Sequence, residues 1–295
     1  DEKAVIRDIV TPYFNMPAKA SDVKVYTAKS DGSTVKWKAK EPFDGTVSIQ
    51  NNTVSVSGFS YKDNWCGPGS NGFNNGKKLI IQFNVTAKDD FLGGNDVPTN
   101  EDTSGIYDKD GEDGKMIDSF KVPTVNVPIK EVKVTAEDKN VYLMGGVTTD
   151  QLKTNANVQC GSVELKLGEP NYGLENWQNA YVDITTELKD KDGNAISTDG
   201  LKDLTADTTY TVSAKVAPQT GGKTTDEKGP AATEKSDTAT GTINVFTPEL
   251  TFKDSEAYYG AEVPDLKGNL TKTEWKHNDT VDTAAAMTGK KPELT

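Results

Sequence analysis

Short runs in which apolar and polar residues alternate recur along the chain, and this period of two constrains the fold more than any other feature. In Thr53–Ser57 the valines alternate with threonine and serine, and in residues 78–85 the apolar side chains at alternate positions share one face. Such alternation is typical of β-strands, whose successive side chains point to opposite faces. No window holds apolar residues at sustained helical spacing. The sequence therefore predicts an all-β protein.

Turn residues between the runs indicate how the strands connect. Thr46–Ile49 and Thr53–Phe59 flank Asn51-Asn52, a pair typical of a tight hairpin turn. Residues 119–129 form a further extended run that contains two prolines. Because proline cannot donate a ladder hydrogen bond, we expect that run at a sheet edge, and the more apolar run at 78–85 in a central position.

The spacing of strands and turns predicts tandem Ig-like β-sandwich domains. We place the first sandwich at residues 1–131, the second at 132–247 and a partial third β module at 248–295, which is too short for a complete sandwich. The last predicted strand of each domain leads into the next domain with almost no linker. This arrangement predicts a stiff, elongated rod.

Charge and hydropathy exclude several classes of partner. The net charge is −12, so phosphate backbones and anionic lipid surfaces are repelled, and we expect neither nucleic acid nor a membrane as a direct partner. No run of about 18 apolar residues is present. Apparent strands are interrupted at both ends of the chain. We therefore expect a section of a longer secreted protein whose leader and anchor lie outside this segment.

Residues for catalysis or metal binding are scarce. His277 is the only histidine, and no cysteine cluster accompanies it, which excludes the usual zinc sites. Asp108–Gly114 and Asp190–Gly193 offer alternate carboxylates, but neither completes a calcium-binding loop, and Asp-Gly turns explain both. No nucleotide-binding or nucleophile-elbow motif occurs. We predict no metal, no cofactor and no enzymatic activity.

Two further features suggest sites. Cys66 and Cys160 are the only cysteines and fall in different predicted domains; they form either an interdomain disulfide or two isolated thiols. Trp65 lies in a Gly/Asn-rich segment, 64–76, predicted to be a loop. An aromatic residue among polar loop residues is typical of binding surfaces, although packing at the loop base is the alternative.

Three stretches of the first domain resemble the β-sandwich that follows the von Willebrand factor A domain in Gram-positive pilus-tip adhesins and related cell-wall-anchored surface proteins. They are Ile6–Phe14, Gly76–Leu79 with Val85–Lys88, and Phe91–Tyr107, which contains a Thr-Asn-x-x-Thr pattern. The resemblance covers about residues 4–130. It implies sandwiches of the Cna type and a location on the bacterial cell surface.

Members of this family commonly carry an intramolecular isopeptide bond between a lysine and an asparagine, assisted by a buried acid. The resemblance matches Asp8 to the assisting acid and Asn100 to the acceptor. The donor lysine is either Lys36 or Lys38, beside Trp37, or it is absent from this chain because relatives supply it from a strand before the A domain. Burial would lower the pKa of the lysine, so that its neutral amine could attack. Burial would also raise the pKa of the acid, so that it could donate a proton to the amide.

These observations lead to hypotheses of different classes. The first is the stalk and binding region of an adhesin, expected to be monomeric, that recognises a host protein or glycoprotein such as an immunoglobulin or a matrix protein. The second is a structural spacer that projects a distal binding domain and binds nothing itself. A secreted enzyme is the third, and it would require a pair of facing carboxylates that the sequence does not identify.

Overall fold

The computed structural model describes residues 3–30, 35–60, 62–63, 65–68, 74–189, 192–197, 202–219, 228–262, 267–282 and 287–290. Strands joined by turns dominate these residues, and the α-helix among them, Thr149–Thr154, is short. Short 3-10 helices occupy Ala20–Asp22 and Pro170–Gly173. The predicted all-β class is confirmed.

The chain divides into two compact units that are not contiguous in sequence. Unit 1 contains residues 1–128 together with 176–179 and 218–233, and unit 2 contains 129–175, 180–217 and 234–295. The first predicted boundary, at residue 131, lies close to the end of the long segment of unit 1. The two short segments that join unit 1 from far along the chain were not predicted. Assignment of these units to Ig-like domains stays a prediction.

Unit 1 is built from short strands. Their bounds are β1 Val5–Ile9, β2 Phe14–Asn15, β3 Lys24–Ser30, β4 Val35–Pro42, β5 Thr46–Gln50, β6 Thr53–Ser57, β7 Trp65–Pro68, β8 Asn74–Gln82, β9 Thr86–Ala87, β10 Gly94–Pro98, β11 Gly105–Tyr107, β12 Met116–Ser119 and β13 Thr124–Val127. One sheet has the order β12-β11-β1-β6-β5 and another has the order β4-β3-β8-β7, while β10-β13 and β2-β9 form two-stranded pairs.

The predicted hairpin and the predicted edge run are both confirmed. Strands β5 and β6 pair antiparallel across Asn51, which adopts a positive φ of 52°. Asparagine tolerates this left-handed conformation because its short polar side chain can bond locally. Strand β13 lies between Pro123 and Pro128, and among the described strands it pairs with β10 alone. Apart from that ladder, the Asn126 N–H donates to the Lys228 carbonyl, so the two prolines leave no central ladder incomplete.

Apolar faces of the two larger sheets of unit 1 share a core. Val54 and Val56 from β6 are almost fully buried and form a cluster with Ile6 of β1, against which Leu79 and Ile81 of β8 pack. A second cluster gathers Val10, Phe14, Phe91, Val97 and Val127. This arrangement of two facing sheets over one core is a β-sandwich.

Buried amide side chains attach the two late segments of the chain to unit 1. Asn95, 2% exposed, donates from Nδ2 to the carbonyl of Ala232 at 3.0 Å and accepts from the Ala232 N–H at 2.6 Å. Gln178 accepts from the Leu92 N–H at 2.9 Å. Buried polar groups are costly unless they are paired. The Gln178 amide therefore fixes where its own segment packs on unit 1, and the Asn95 amide fixes where the segment that contains Ala232 packs.

Unit 2 is also built from strands. Their bounds are β14 Val132–Ala136, β15 Lys139–Tyr142, β16 Ala156–Cys160, β17 Val163–Leu165, β18 Ala180–Lys189, β19 Ala195–Ile196, β20 Thr208–Pro218, β21 Lys235–Phe252, β22 Leu270–His277, β23 Thr280–Val281 and β24 Met287–Thr288. One sheet has the order β14-β16-β17 and a larger one β19-β18-β20-β21-β15-β24, with β22 and β23 attached through β21.

Strand β21 runs without interruption through Thr247-Pro248, where we predicted a new module to begin. Its first half pairs with β20 and its second half with β22, and Pro248 lies opposite Trp275. Among the described strands, β22 alone pairs with this second half, so Pro248 lies in a strand segment with one open side and interrupts no interior ladder. A strand break does not mark the predicted boundary at residue 247.

Replacing Asn95 by alanine should destabilise unit 1 by about 1–3 kcal/mol, since the backbone groups of Ala232 would stay buried without partners. The free energy of unfolding, measured by urea denaturation, checks this. Asn157→Ala is the matched control, because its exposed amide contacts only the Glu164 carboxylate, at 3.1 Å, among the described hydrogen bonds. Equal stabilities of the two variants would contradict the assigned role of Asn95.

Candidate functional site

Strand β1 places a carboxylate on the inner face of its sheet. Ile6 and Val10 are buried in the two core clusters, and alternation puts Asp8 between them on the same face. Acidic side chains are among the least often buried. An acid at a core-facing position therefore requires a partner.

Backbone hydrogen bonds bring that partner from the segment after β10. Val10 and Asn100 form an antiparallel bridge, the Glu101 N–H donates to the Ile9 carbonyl at 2.7 Å, and the Thr11 N–H donates to the Thr99 carbonyl at 3.1 Å. The segment is thus paired to the end of β1. The pairing brings the side chain of Asn100 to Asp8, where Nδ2 of Asn100 donates to Oδ1 of the carboxylate.

Burial controls the charge of the site. Desolvation raises the pKa of Asp8 above the usual aspartate value, and the hydrogen bond from Asn100 opposes that rise without cancelling it. Desolvation disfavours the ionised carboxylate, whereas a donor favours it. Asp8 therefore holds its proton at a higher pH than an exposed aspartate does, which suits it to proton transfer.

A groove with a volume of about 750 Å³ opens beside the pair. Residues 81–85, at and beyond the end of β8, line one part of it, and Thr99, Asn100 and Pro123 line another. Asp22 and Lys24 are the other charged residues in its lining. Asn100 and Asp8 are therefore both accessible to a small group that enters the groove.

Part of one edge of strand β8 has no partner among the described strands. It pairs with β3 from Gly76 to Gln82, but it pairs with β7 only through Asn74, Asn75 and Gly76. Among the described strands, none pairs with the remaining length of β8 on the β7 side. Unpaired N–H and C=O groups on a strand edge can accept an added extended segment.

The structure brings together two of the predicted site residues and leaves the donor unassigned. Asp8 and Asn100 are in contact, as their predicted roles require. Lys36 and Lys38 belong to β4, at the edge of the other sheet, and their side chains lie outside the described residues. The lysine that lines the groove, Lys24, was not predicted; its exposed amine donates to the Ser21 carbonyl at 2.9 Å.

The segment around Trp65 is not a simple loop. We predicted a loop over residues 64–76, but Trp65–Pro68 form β7 and pair antiparallel with the start of β8. Asn74 and Asn75 donate and accept ladder hydrogen bonds as any residue can, so polar composition alone misled the prediction. The side chains of Trp65 and Cys66 lie outside the described residues, and the binding role of Trp65 stays a prediction.

Cys160, the second cysteine, ends β16 in unit 2. It is fully buried as a free thiol, and its Sγ lies 3.6 Å from the Lys130 carbonyl oxygen. Burial raises the pKa of this thiol to about 11, an effect that nearby Lys130 partly opposes. A buried thiol that keeps its proton behaves as a small apolar residue rather than as a nucleophile.

Other chemistry is limited within the described parts of the chain. There, no three His, Cys, Asp or Glu side chains gather into a group that could hold a metal ion. The search of the same residues for a helix with the length and hydropathy to cross a membrane finds none. Thr99, which touches the Asn100 amide, was like Lys24 not singled out from the sequence, although it belongs to the Thr-Asn-x-x-Thr pattern.

Comparison with known proteins adds no family to these observations. No family model matches the chain, and a search of curated proteins finds no matching relative. The resemblance to surface adhesins therefore rests on the sequence stretches described above.

Replacing Asp8 by asparagine should change how stability depends on pH. The folded state holds the Asp8 proton more tightly than the unfolded chain does. The unfolded chain has an Asp8 pKa of about 3.9, and the folded protein has a higher one. As pH rises through this interval, the free energy of unfolding of the wild type should therefore fall relative to that of Asp8→Asn. Urea denaturation at a series of pH values measures the difference.

Asp237→Asn is the control with the opposite sign. Backbone hydrogen bonds from Val134 and Thr238 lower the pKa of Asp237, so its stabilising contribution is present above the unfolded pKa and is lost as pH falls through the folded value. For each variant, the difference in free energy of unfolding from the wild type is followed with pH. If this difference changed in the same direction for both variants, the assigned environment of Asp8 would be wrong.

The thiol of Cys160 should resist alkylation in the folded protein. In a Cys66→Ser variant it is the remaining cysteine, and at about pH 8 a pKa of about 11 leaves its thiolate fraction about two orders of magnitude below that of a free cysteine. Iodoacetamide labelling followed by mass spectrometry measures the rate. Labelling in urea should restore ordinary reactivity, and rapid labelling without urea would contradict the burial of this thiol.

Proposed function

We propose that this chain is the stalk and binding region of a bacterial cell-surface adhesin, built from Cna-type Ig-like sandwiches in tandem and held on the cell wall in the full-length protein. The observation that carries the proposal is the contact between Asp8 and Asn100 on the core-facing side of β1. A partly buried acid beside an asparagine amide is the acceptor half of an isopeptide cross-link. A covalent cross-link between strands would resist unfolding under tension, which is what the stalk of an adhesin requires.

The reaction is a transfer of the asparagine acyl group to an amine. A neutral lysine amine adds to Cγ of Asn100, the new C–N bond forms, the bond to Nδ2 breaks, and ammonia leaves. Burial raises the pKa of Asp8, and this carboxyl group passes a proton from the attacking amine to the departing nitrogen. No oxidant or cofactor enters the balance.

The donor lysine is proposed to reach the groove on an extended segment. The groove of about 750 Å³ exposes both reacting groups. The edge of β8 that no described strand covers offers backbone partners for an added strand. Lys24 is an unsuitable donor in its present position, because Val23 and Val25 on either side of it pack into the core and its own side chain is exposed. A segment from outside the described residues fits this requirement.

The binding role is supported by exposed apolar side chains. Tyr258 and Tyr259, 78% and 109% exposed, follow β21, and Phe252, the last residue of that strand, is 49% exposed. Exposed aromatic groups of this kind are common where proteins bind partners. We propose a host protein or glycoprotein as the partner of a monomeric chain. The alternative is a spacer, in which the same sandwiches only project a distal binding domain.

Mass spectrometry tests the cross-linking half of the proposal. The probe is n-butylamine, which has the four-carbon chain and amine of a lysine side chain, supplied in excess at a pH where part of it is neutral. We expect either an internal cross-link, with loss of one ammonia or about 17 Da, or a butylamide at Asn100. Asp8→Ala and Asn100→Ala should abolish both products, and Asn157 serves as the unreactive exposed amide.

A wild-type protein that forms neither an internal cross-link nor the butylamide would contradict the proposed chemistry. The binding half is tested separately with the immobilised chain and a panel of purified immunoglobulins, matrix proteins and glycans. Saturable binding that a Tyr258→Ala/Tyr259→Ala variant weakens supports the adhesin. A chain that cross-links but binds no member of the panel favours the spacer.

A further inference from the structure

The hydroxyl of Thr99 contacts the side of the Asn100 amide that faces away from Asp8. Thr99 Oγ1 lies 2.5 Å from Asn100 Oδ1 and 3.3 Å from the Pro123 carbonyl oxygen. A threonine hydroxyl carries one proton and donates one ordinary hydrogen bond. The shorter distance assigns that proton to the asparagine oxygen, because hydrogen bonds between oxygens have typical lengths of about 2.5–3.0 Å.

Little freedom remains for this hydroxyl. The Thr99 N–H donates to the Pro123 carbonyl at 3.0 Å, and the Thr99 carbonyl accepts from the Thr11 N–H at 3.1 Å. The backbone is thus tied on both sides, and the β-branched side chain has few rotamers to choose from. The hydroxyl is therefore a fixed donor beside the amide.

The oxygen and the nitrogen of the Asn100 amide therefore have different partners. Its oxygen receives the Thr99 proton, and its nitrogen donates to Asp8. If the amide turned over, its oxygen would face Asp8 and could bond only to the protonated acid. The choice between the two orientations therefore decides whether Asn100 favours the ionised or the neutral form of its neighbour.

We propose that Thr99 is the positioning residue of Asn100, whose hydroxyl holds the amide with its oxygen away from Asp8 and its nitrogen toward Asp8. The orientation itself does not depend on any reaction. Its chemical consequence rests on the proposed function: as an alkyl amine adds to Cγ, negative charge develops on Oδ1, where the Thr99 hydroxyl donates. The nitrogen that leaves as ammonia faces Asp8, which exchanges the required proton.

A carboxyl titration tests the orientation without any cross-linking. The pKa of Asp8, followed by carbon NMR of its carboxyl group, should rise in Thr99→Val, because the amide loses the donor to its oxygen and turns to accept from protonated Asp8. Thr99→Ser keeps the hydroxyl and should titrate like the wild type. Asp22 and Lys24, the other charged residues in the groove, are unchanged in all three proteins.

An unchanged Asp8 titration in Thr99→Val would overturn the proposal. So would a rise of equal size in Thr99→Ser, because it would show that the effect comes from altered packing and not from loss of the hydroxyl. If Thr99→Val does not fold, the Thr99→Ser protein is compared with Thr99→Ala, in which the same rise is expected.

The rate of butylamide formation tests the chemical consequence. Loss of an oxyanion donor slows acyl transfer by about 100-fold or more, so Thr99→Val should react at least that much more slowly than the wild type, and Thr99→Ser should retain most of the rate. Equal rates in Thr99→Val and the wild type would overturn the role in the reaction. A wild type that forms neither the butylamide nor an internal cross-link contradicts the proposed function, whereas the titration decides the orientation in the protein that is not cross-linked.

Discussion

Pairing of β1 on both of its edges is the constraint on which the candidate site depends. Strand β6 runs antiparallel along one edge and β11 along the other, so β1 has little freedom to shift register. A shift by one residue would turn Asp8 to the opposite face. The same strand continues into Val10 and Thr11, which bind the Thr99–Glu101 segment. Acid and amide therefore meet because one strand holds both.

An acid on a core-facing strand position has an energetic cost that the surrounding structure offsets only in part. The hydrogen bond from Asn100 stabilises the ionised carboxylate, yet desolvation outweighs it and the pKa of Asp8 stays raised. Valine at this position would continue the apolar face without such a cost. Perturbed acids with a specific partner at the edge of a groove are typical of functional sites, and this cost is consistent with a chemical role.

Polar contacts, and not only apolar burial, define the extent of unit 1. Asn95 and Gln178 are buried amides that bond to backbone groups of segments lying far apart in sequence. Lys228, from one of the late segments, also forms an ion pair with Asp96. Such groups are satisfied by one docking arrangement and are left unpaired by others. Specific docking of this kind explains why the compact unit is discontinuous along the chain.

The sequence by itself determined the β-class, the Asn51 hairpin, the proline-bounded edge strand and the face of β8 that packs in the core. These features follow from local rules: the two-residue period, the tolerance of asparagine for positive φ and the missing N–H of proline. Resemblance, and not spacing, nominated Asp8 and Asn100. Neither source indicated that Thr99 would donate to the Asn100 oxygen. The two residues are adjacent, but the directions of their side chains depend on backbone pairing of Thr99 with Thr11 and Pro123 and on the contact of Asn100 with Asp8.

Only the tertiary structure decided the remaining features. Strand character around Trp65, the continuation of β21 through Pro248 and the docking of residues 176–179 and 218–233 all depend on a partner strand or a buried amide distant in sequence. Local composition cannot encode such partners, because a polar run pairs as a strand whenever a neighbouring edge is available. The contact between Asp8 and Asn100, 92 residues apart, is of the same kind. The sequence supplied both groups, and the pairing of β1 brought them together.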